Sequence, residues 1–200
     1  IYETAMLYIG DPEFPVTDGN IRVVATAKGT LIHLTNAVYP TAQMFEEGVP
    51  AVTFLWEREE PGIKIFRGEY KAALAEAMER TTPAGPPYEA LLYDRNGKLT
   101  EGGRSNFFVL FGDDVFSPPE DKILSGITRR YVLQAIRQVG LSVQEGSFTL
   151  EQIQSMREKS VADHIPFAVF VTSSPFDILP INQIDDVPFP SAYDSAFLQV

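Results

Sequence analysis

From Glu89 to Thr128 the chain reads EALLYDRNGKLTEGGRSNFFVLFGDDVFSPPEDKILSGIT. Two apolar stretches are each interrupted by a turn signal, Arg95-Asn96-Gly97 and Gly112-Asp113-Asp114. Asn-Gly favours the positive φ that tight primed turns require. Glu89–Tyr93 and Lys98–Thr100 are therefore predicted to form one hairpin, and Ser105–Phe111 with Val115–Ser117 a second. Gly126-Ile127-Thr128 then opens a helix predicted over Thr128–Val139. Val132, Ala135, Ile136 and Val139 would be its buried stripe and Gly140 its stop. Hairpins interspersed with helices indicate an α+β fold and argue against a doubly wound parallel sheet.

Toward the N-terminus, Thr4–Ile9, Asn20–Ala27 and Leu31–Val38 read as strands separated by Gly10-Asp11-Pro12 and Asp18-Gly19. Tyr39-Pro40-Thr41 opens a short helix closed by Gly48. Val52–Trp56 returns to strand. The charged, proline-containing stretch after it marks a boundary. Residues 1–56 are expected to be the C-terminal part of a small domain, 57–63 a connection, and 64–200 a large domain. Arg67–Arg80 is predicted helical, with Tyr70, Ala73, Leu74 and Ala77 on one face. Thr149-Leu150-Glu151-Gln152 matches a capping box, and Ala168–Thr172 is a last apolar strand.

Composition narrows the function classes. A formal net charge of −11 argues against nonspecific nucleic-acid binding, which relies on clustered cations. No apolar run approaches the ~20 residues of a membrane-spanning helix, so no membrane partner is expected. The chain has no cysteine, which removes disulfides, thiolate metal sites and cysteine nucleophiles. Its two histidines, His33 and His164, are far apart in sequence, so no metal site is expected. Ile1 is not a translation start, so residues upstream are expected, and with them any targeting peptide.

Three groups have chemistry worth weighing. Lys64, in Gly62-Ile63-Lys64-Ile65, is an amine that could form a Schiff base from a desolvated position; on an alternating strand it could equally face solvent. Glu101 could keep a pyridine nitrogen protonated and so make the ring an electron sink; alone, it reads as a solvated hairpin-end carboxylate. Gly126-Ile127-Thr128 offers free backbone N–H groups and a hydroxyl to a phosphate, although an isolated Thr128 would more simply cap its helix. Thr172-Ser173-Ser174, ending a strand before Pro175, could add hydroxyls to the same anion. Glu57-Arg58-Glu59-Glu60 reads as a solvated charge run and Trp56 as core. An amine, a ring-nitrogen carboxylate and an anion-binding helix end together point to pyridoxal phosphate.

Lys64, the Glu89–Glu101 stretch, Ser105-Asn106-Phe107-Phe108 and Leu124–Arg129, in this order and spacing, resemble the class IV, fold type IV pyridoxal-phosphate aminotransferases. That family includes branched-chain and D-amino-acid aminotransferases and aminodeoxychorismate lyase. The resemblance runs from about Tyr39 to Asp185. It implies a large domain built on a mixed, barrel-like sheet with helices, preceded by part of a small α/β domain. By resemblance, Lys64 holds pyridoxal 5'-phosphate as a Schiff base and shuttles the proton between amino and keto forms. Glu101 contacts the ring nitrogen and Leu124 packs on the ring face. Gly126, Ile127, Thr128 and Ser174 hold the phosphate, and Tyr70 supplies a hydroxyl near the phenolic oxygen. Ser173 and Pro175 lie near the substrate carboxylate. The implied activity is transamination between small-molecule amino and keto acids in a cytoplasmic homodimer. The alternatives are pyruvate elimination from aminodeoxychorismate and a truncated, non-catalytic cofactor-binding module.

Overall fold

A computed structural model describes residues 20–35, 37–65 and 67–189. The strand expected at Thr4–Ile9 lies outside the described residues. Two compact units divide between Tyr39 and Pro40, N-terminal to the connection expected at 57–63. The first holds an antiparallel hairpin of β1 (Asn20–Thr26) and β2 (Gly29–Thr35).

The second unit contains everything that follows. Helix α1 (Ala42–Glu47) is capped by the Thr41 side chain and ends at Gly48, whose φ of 78° only glycine adopts easily. Strand β3 (Val49–Leu55) leads through the charged connection to α2 (Gly68–Met78), and then come β4 (Glu89–Tyr93) and β5 (Leu99–Gly102). Gly97 has φ 73° at the turn between β4 and β5, as Asn-Gly predicts. The second hairpin is β6 (Asn106–Phe111) and β7 (Asp114–Ser117), with Gly112 at φ 63°. Helix α3 (Ile127–Gln138), β8 (Ser142–Glu145), α4 (Leu150–Asp163), β9 (Phe167–Ser173), β10 (Asp177–Ile184) and β11 (Val187–Pro188) complete the unit. The Thr149–Gln152 capping box predicted for α4 is formed in both directions.

Strand pairing closes on itself. β10 pairs β3, β3 pairs β4, β4 pairs β5, β5 pairs β6, β6 pairs β9, and β9 pairs β10. The β3–β4 and β3–β10 ladders are parallel and the other ring pairings antiparallel, so the sheet is mixed and barrel-like, as expected. β7 and β8 extend outward from β6, and β11 from β10.

The run NFFVLF in β6 is apolar at nearly every position because both of its faces are covered. Phe107 and Val109 join Leu91, Val169, Val171, Leu179 and Ile181 in one buried cluster. Phe108 and Leu110 point the other way and pack with Val132, Leu133 and Ile136 of α3. Helix α2 covers β3 and β4 through Leu74, Ala77 and Met78 against Val52 and Ala90. The α3 stripe is rotated from its predicted position. Arg129, Val132, Leu133 and Ile136 are buried, whereas Val139 is exposed at the C-terminal cap. Arg129 donates to Ser117 Oγ at 3.2 Å and to Glu120 Oε1 at 2.7 Å, which satisfies its buried guanidinium and draws that side of α3 inward.

Candidate active site

The turn joining β5 to β6 is Gly102-Gly103-Arg104-Ser105, and it forms one wall of a cavity of about 280 Å³. Its narrowness leaves little room for a side chain at either glycine. A Cβ at Gly102 would meet Ser105 Oγ at 2.0 Å, and one at Gly103 would meet Leu74 Cδ1 at 2.7 Å. Beneath the turn the buried Glu89 carboxylate accepts from Ser105 Oγ at 2.7 Å and from Ala90 N at 2.9 Å. Tyr70 donates its hydroxyl to Gly103 O at 2.8 Å from the same side.

Glu101, at the end of β5, lies in the cavity wall and is 2 % exposed. Arg58 Nε donates to its Oε1, and Leu124 N donates to Oε2 at 3.0 Å. Burial raises the Glu101 carboxyl above the usual carboxylate range. Arg58, the Leu124 N–H and the Lys64 charge pull in the opposite direction. The Leu124 contact is fixed from its other end, because Asn106 Nδ2 donates to Leu124 O at 2.7 Å.

Next to this carboxylate α3 begins. No side chain caps its first turn, so its leading N–H groups are open to an anion. A Cβ at the N-cap Gly126 would meet Asn106 Oδ1 at 2.4 Å, which explains the glycine. Thr128 Oγ1 and Ser174 Oγ approach to 3.3 Å. Thr172, on β9, lines the same cavity, and its buried Oγ1 has no hydrogen-bond partner. A buried hydroxyl without a partner is costly, and a ligand oxygen here would relieve it.

Of the residues predicted from sequence, Lys64, Glu101, Leu124, Gly126, Ile127, Thr128, Ser173 and Ser174 all line this cavity. Lys64 is exposed on it, rather than in the desolvated position a Schiff-base lysine suggested, because it sits on an irregular connection outside any helix or strand. Two predicted residues stand apart. Tyr70 lies behind the Gly102–Gly103 turn and lines a neighbouring cavity with Trp56 and Arg58. Its ring lies 5.2 Å from that of Trp56, and burial pushes its hydroxyl up to about 12. Pro175 is exposed beside Ser174 and does not line the cavity.

Arg58 reads from sequence as part of a solvated charge run, yet it lines the cavity. Its partner is Glu101, 43 residues away, so no local pattern marks it. Asn106 stood in the sequence as part of a motif and not as the brace between Leu124 and Gly126. Arg104 likewise has no role that its local sequence marks. It lines the cavity, and its carbonyl accepts from Ser173 Oγ at 3.0 Å. Among the described residues there is no cluster of metal-ligating side chains, and no helix is long and apolar enough to cross a membrane.

The arrangement joins an amine, a buried carboxylate and an anion cradle around one small space. It suits a planar ligand with a basic ring nitrogen at one end and a phosphate at the other.

The family model described as amino-transferase class IV matches residues 11–184. A probable branched-chain-amino-acid aminotransferase of Rickettsia felis is 23% identical over 186 residues, covering 85% of this chain and 59% of that protein. An aminodeoxychorismate lyase of Bacillus subtilis is 28% identical over 107 residues, 53% of this chain and 33% of the lyase. The chain thus spans at most about three-fifths of the length of these relatives. The crystal structure of a T.th. branched-chain amino acid aminotransferase with pyridoxamine 5'-phosphate superposes with a TM-score of 0.61. That match has 25% identity and covers 80% of this chain and 50% of the other.

Proposed function

The chain belongs to the class IV amino-transferase family, and from that premise we propose that it binds pyridoxal 5'-phosphate at Lys64 and transfers an amino group between an amino acid and a keto acid. The observation that carries the proposal is convergence. Lys64 from the connection, Glu101 from β5, Thr128 from α3 and Ser174 after β9 meet at one cavity. The residues fit the cofactor: the uncapped start of α3, the Thr128–Ser174 hydroxyl pair and the orphaned Thr172 hydroxyl form a polar cradle, and Glu101 offers a carboxylate fixed in place.

When bound, pyridoxal phosphate supplies an electrophilic carbon for amines and a ring that disperses negative charge. The chain's own groups do the rest. Lys64 Nζ would hold the cofactor and, once free, would take or return the proton that separates the amino from the keto form. Glu101, whose Oε2 accepts from the Leu124 N–H, would hold a proton at the ring nitrogen. The N–H groups at Ile127 and Thr128, with the hydroxyls of Thr128 and Ser174, bind the phosphate. Leu124, in the cavity wall, would pack against the ring.

Borohydride reduction after incubation with pyridoxal phosphate tests this. The expected result is a stable label on the Lys64 peptide, lost in Lys64→Ala. Label retained elsewhere in Lys64→Ala would refute the assignment. The similarity to the Bacillus lyase supports a second reading, pyruvate elimination. Pyruvate released from aminodeoxychorismate without a keto-acid acceptor would favour it over transamination. We further propose that the protein works as a homodimer, which sedimentation analysis checks.

A further inference from the structure

Three cationic side chains line the cavity: Arg58, Lys64 and Arg104. Arg58 is engaged by Glu101, and Lys64 is the amine assigned to the cofactor. Arg104 remains, on the same side as Ser173.

Its guanidinium is held in place and only loosely ion-paired, with Glu89. Nη2 donates to Tyr88 O at 3.0 Å, and the group lies over the Tyr88 ring at 4.7 Å. Nε is 3.9 Å from Glu89 Oε2, a contact too long for a hydrogen bond. Glu89 Oε2 is already bonded to Ser105. Among the described residues Nη1 has no partner, and the Arg104 side chain is 48% exposed. The backbone is fixed too, through the Ser173 Oγ bond to the Arg104 carbonyl. A planar, always-charged fork held in one orientation at a cavity wall is suited to a carboxylate.

We infer that Arg104 is a specificity-determining residue that receives a carboxylate of the amino-acid or keto-acid substrate beside Ser173. The inference rests on the proposed function for the nature of the substrate, and on the geometry for the charge it recognises. The carboxylate is either the one common to all such substrates or a second one on an acidic side chain. Both are the same chemistry, and an experiment separates them.

Calorimetric titration of the full chain with glutarate, a dicarboxylate, and with 4-methylvaleric acid, a monocarboxylate, reads binding without turnover. Arg104→Leu is expected to weaken binding by about ten- to hundredfold, the usual range for losing a charge-assisted hydrogen bond. Arg104→Lys, which keeps charge but loses the fork, is expected to fall between. Loss for both ligands assigns the common carboxylate, and loss for glutarate alone assigns the second. Unchanged affinity in the folded variants, or no binding by the unaltered protein, overturns the inference. If Arg104→Leu does not fold, Arg104→Lys decides by the same criterion. Lys64 labelling is scored separately: carboxylate binding lost with Arg104 but no label at Lys64 sinks the cofactor reading and leaves Arg104 standing.

Discussion

Glu89 has its carboxylate almost wholly removed from water, at 2% exposure. Burial raises it above its ordinary value of 4.5, while the bonds from Ser105 and Ala90 and the Arg104 charge oppose the rise. The folded state therefore binds this proton more tightly than the unfolded one. Stability from this group is fully present below pH 4.5 and declines as pH rises through the elevated folded value. Urea unfolding across pH 4 to 8 checks this. Glu89→Gln, which keeps a partner for Ser105, should show a shallower decline, and an unchanged slope would remove Glu89 as its source. At this scale the sequence was legible only where chemistry and motif coincided. Lys64, Glu101 and Thr128 belonged to recognisable stretches. Arg58 did not, because a charge run looks the same whether it faces water or reaches a carboxylate distant in sequence.

The start of α3 shows how an element's first residue sets a site. Gly126 has φ −70°, so its backbone is open to any residue; what excludes a side chain is Asn106 Oδ1 at 2.4 Å. Gly126→Ala should displace Asn106, break its bond to Leu124 O and cost about 1 kcal/mol of stability. It should also weaken the anion cradle, so that Lys64 labelling at a limiting pyridoxal phosphate concentration falls severalfold. Normal labelling would show that the cradle tolerates the methyl group. Elements with local signals were legible in kind: the hairpin at Gly97, the capping box at Thr149 and α3 itself. β8 and β10 were not. β8 is short and half polar, and Pro180 within β10 reads against a strand. Pro180 is accommodated there, paired opposite Phe170 of β9.

For the whole of the second unit, ring closure is the decisive event. β6 and β9 pair over six consecutive positions, from Asn106↔Thr172 to Phe111↔Phe167. These strands are distant in sequence, and their contact brings Thr172 and Ser174 to the start of α3. Nothing local in the sequence signals that pairing, which is why hairpins were predictable and the barrel came only by resemblance. Amide hydrogen exchange should find the slowest positions in β6 and β9, which are buried on both faces. β8 and β11 should exchange faster, and equal protection throughout would contradict a ring-centred core.

Closure leaves the nine-stranded sheet with few free edges. On one side it ends at β11, two residues long and containing Pro188. On the other it ends at β8, four residues long and closing on the acidic Glu145. A two-residue strand with a proline offers almost no template to an incoming strand, and a short, acid-tipped one offers a poor template. The barrel that gathers the site thus also guards this sheet against growing edge to edge into fibrils.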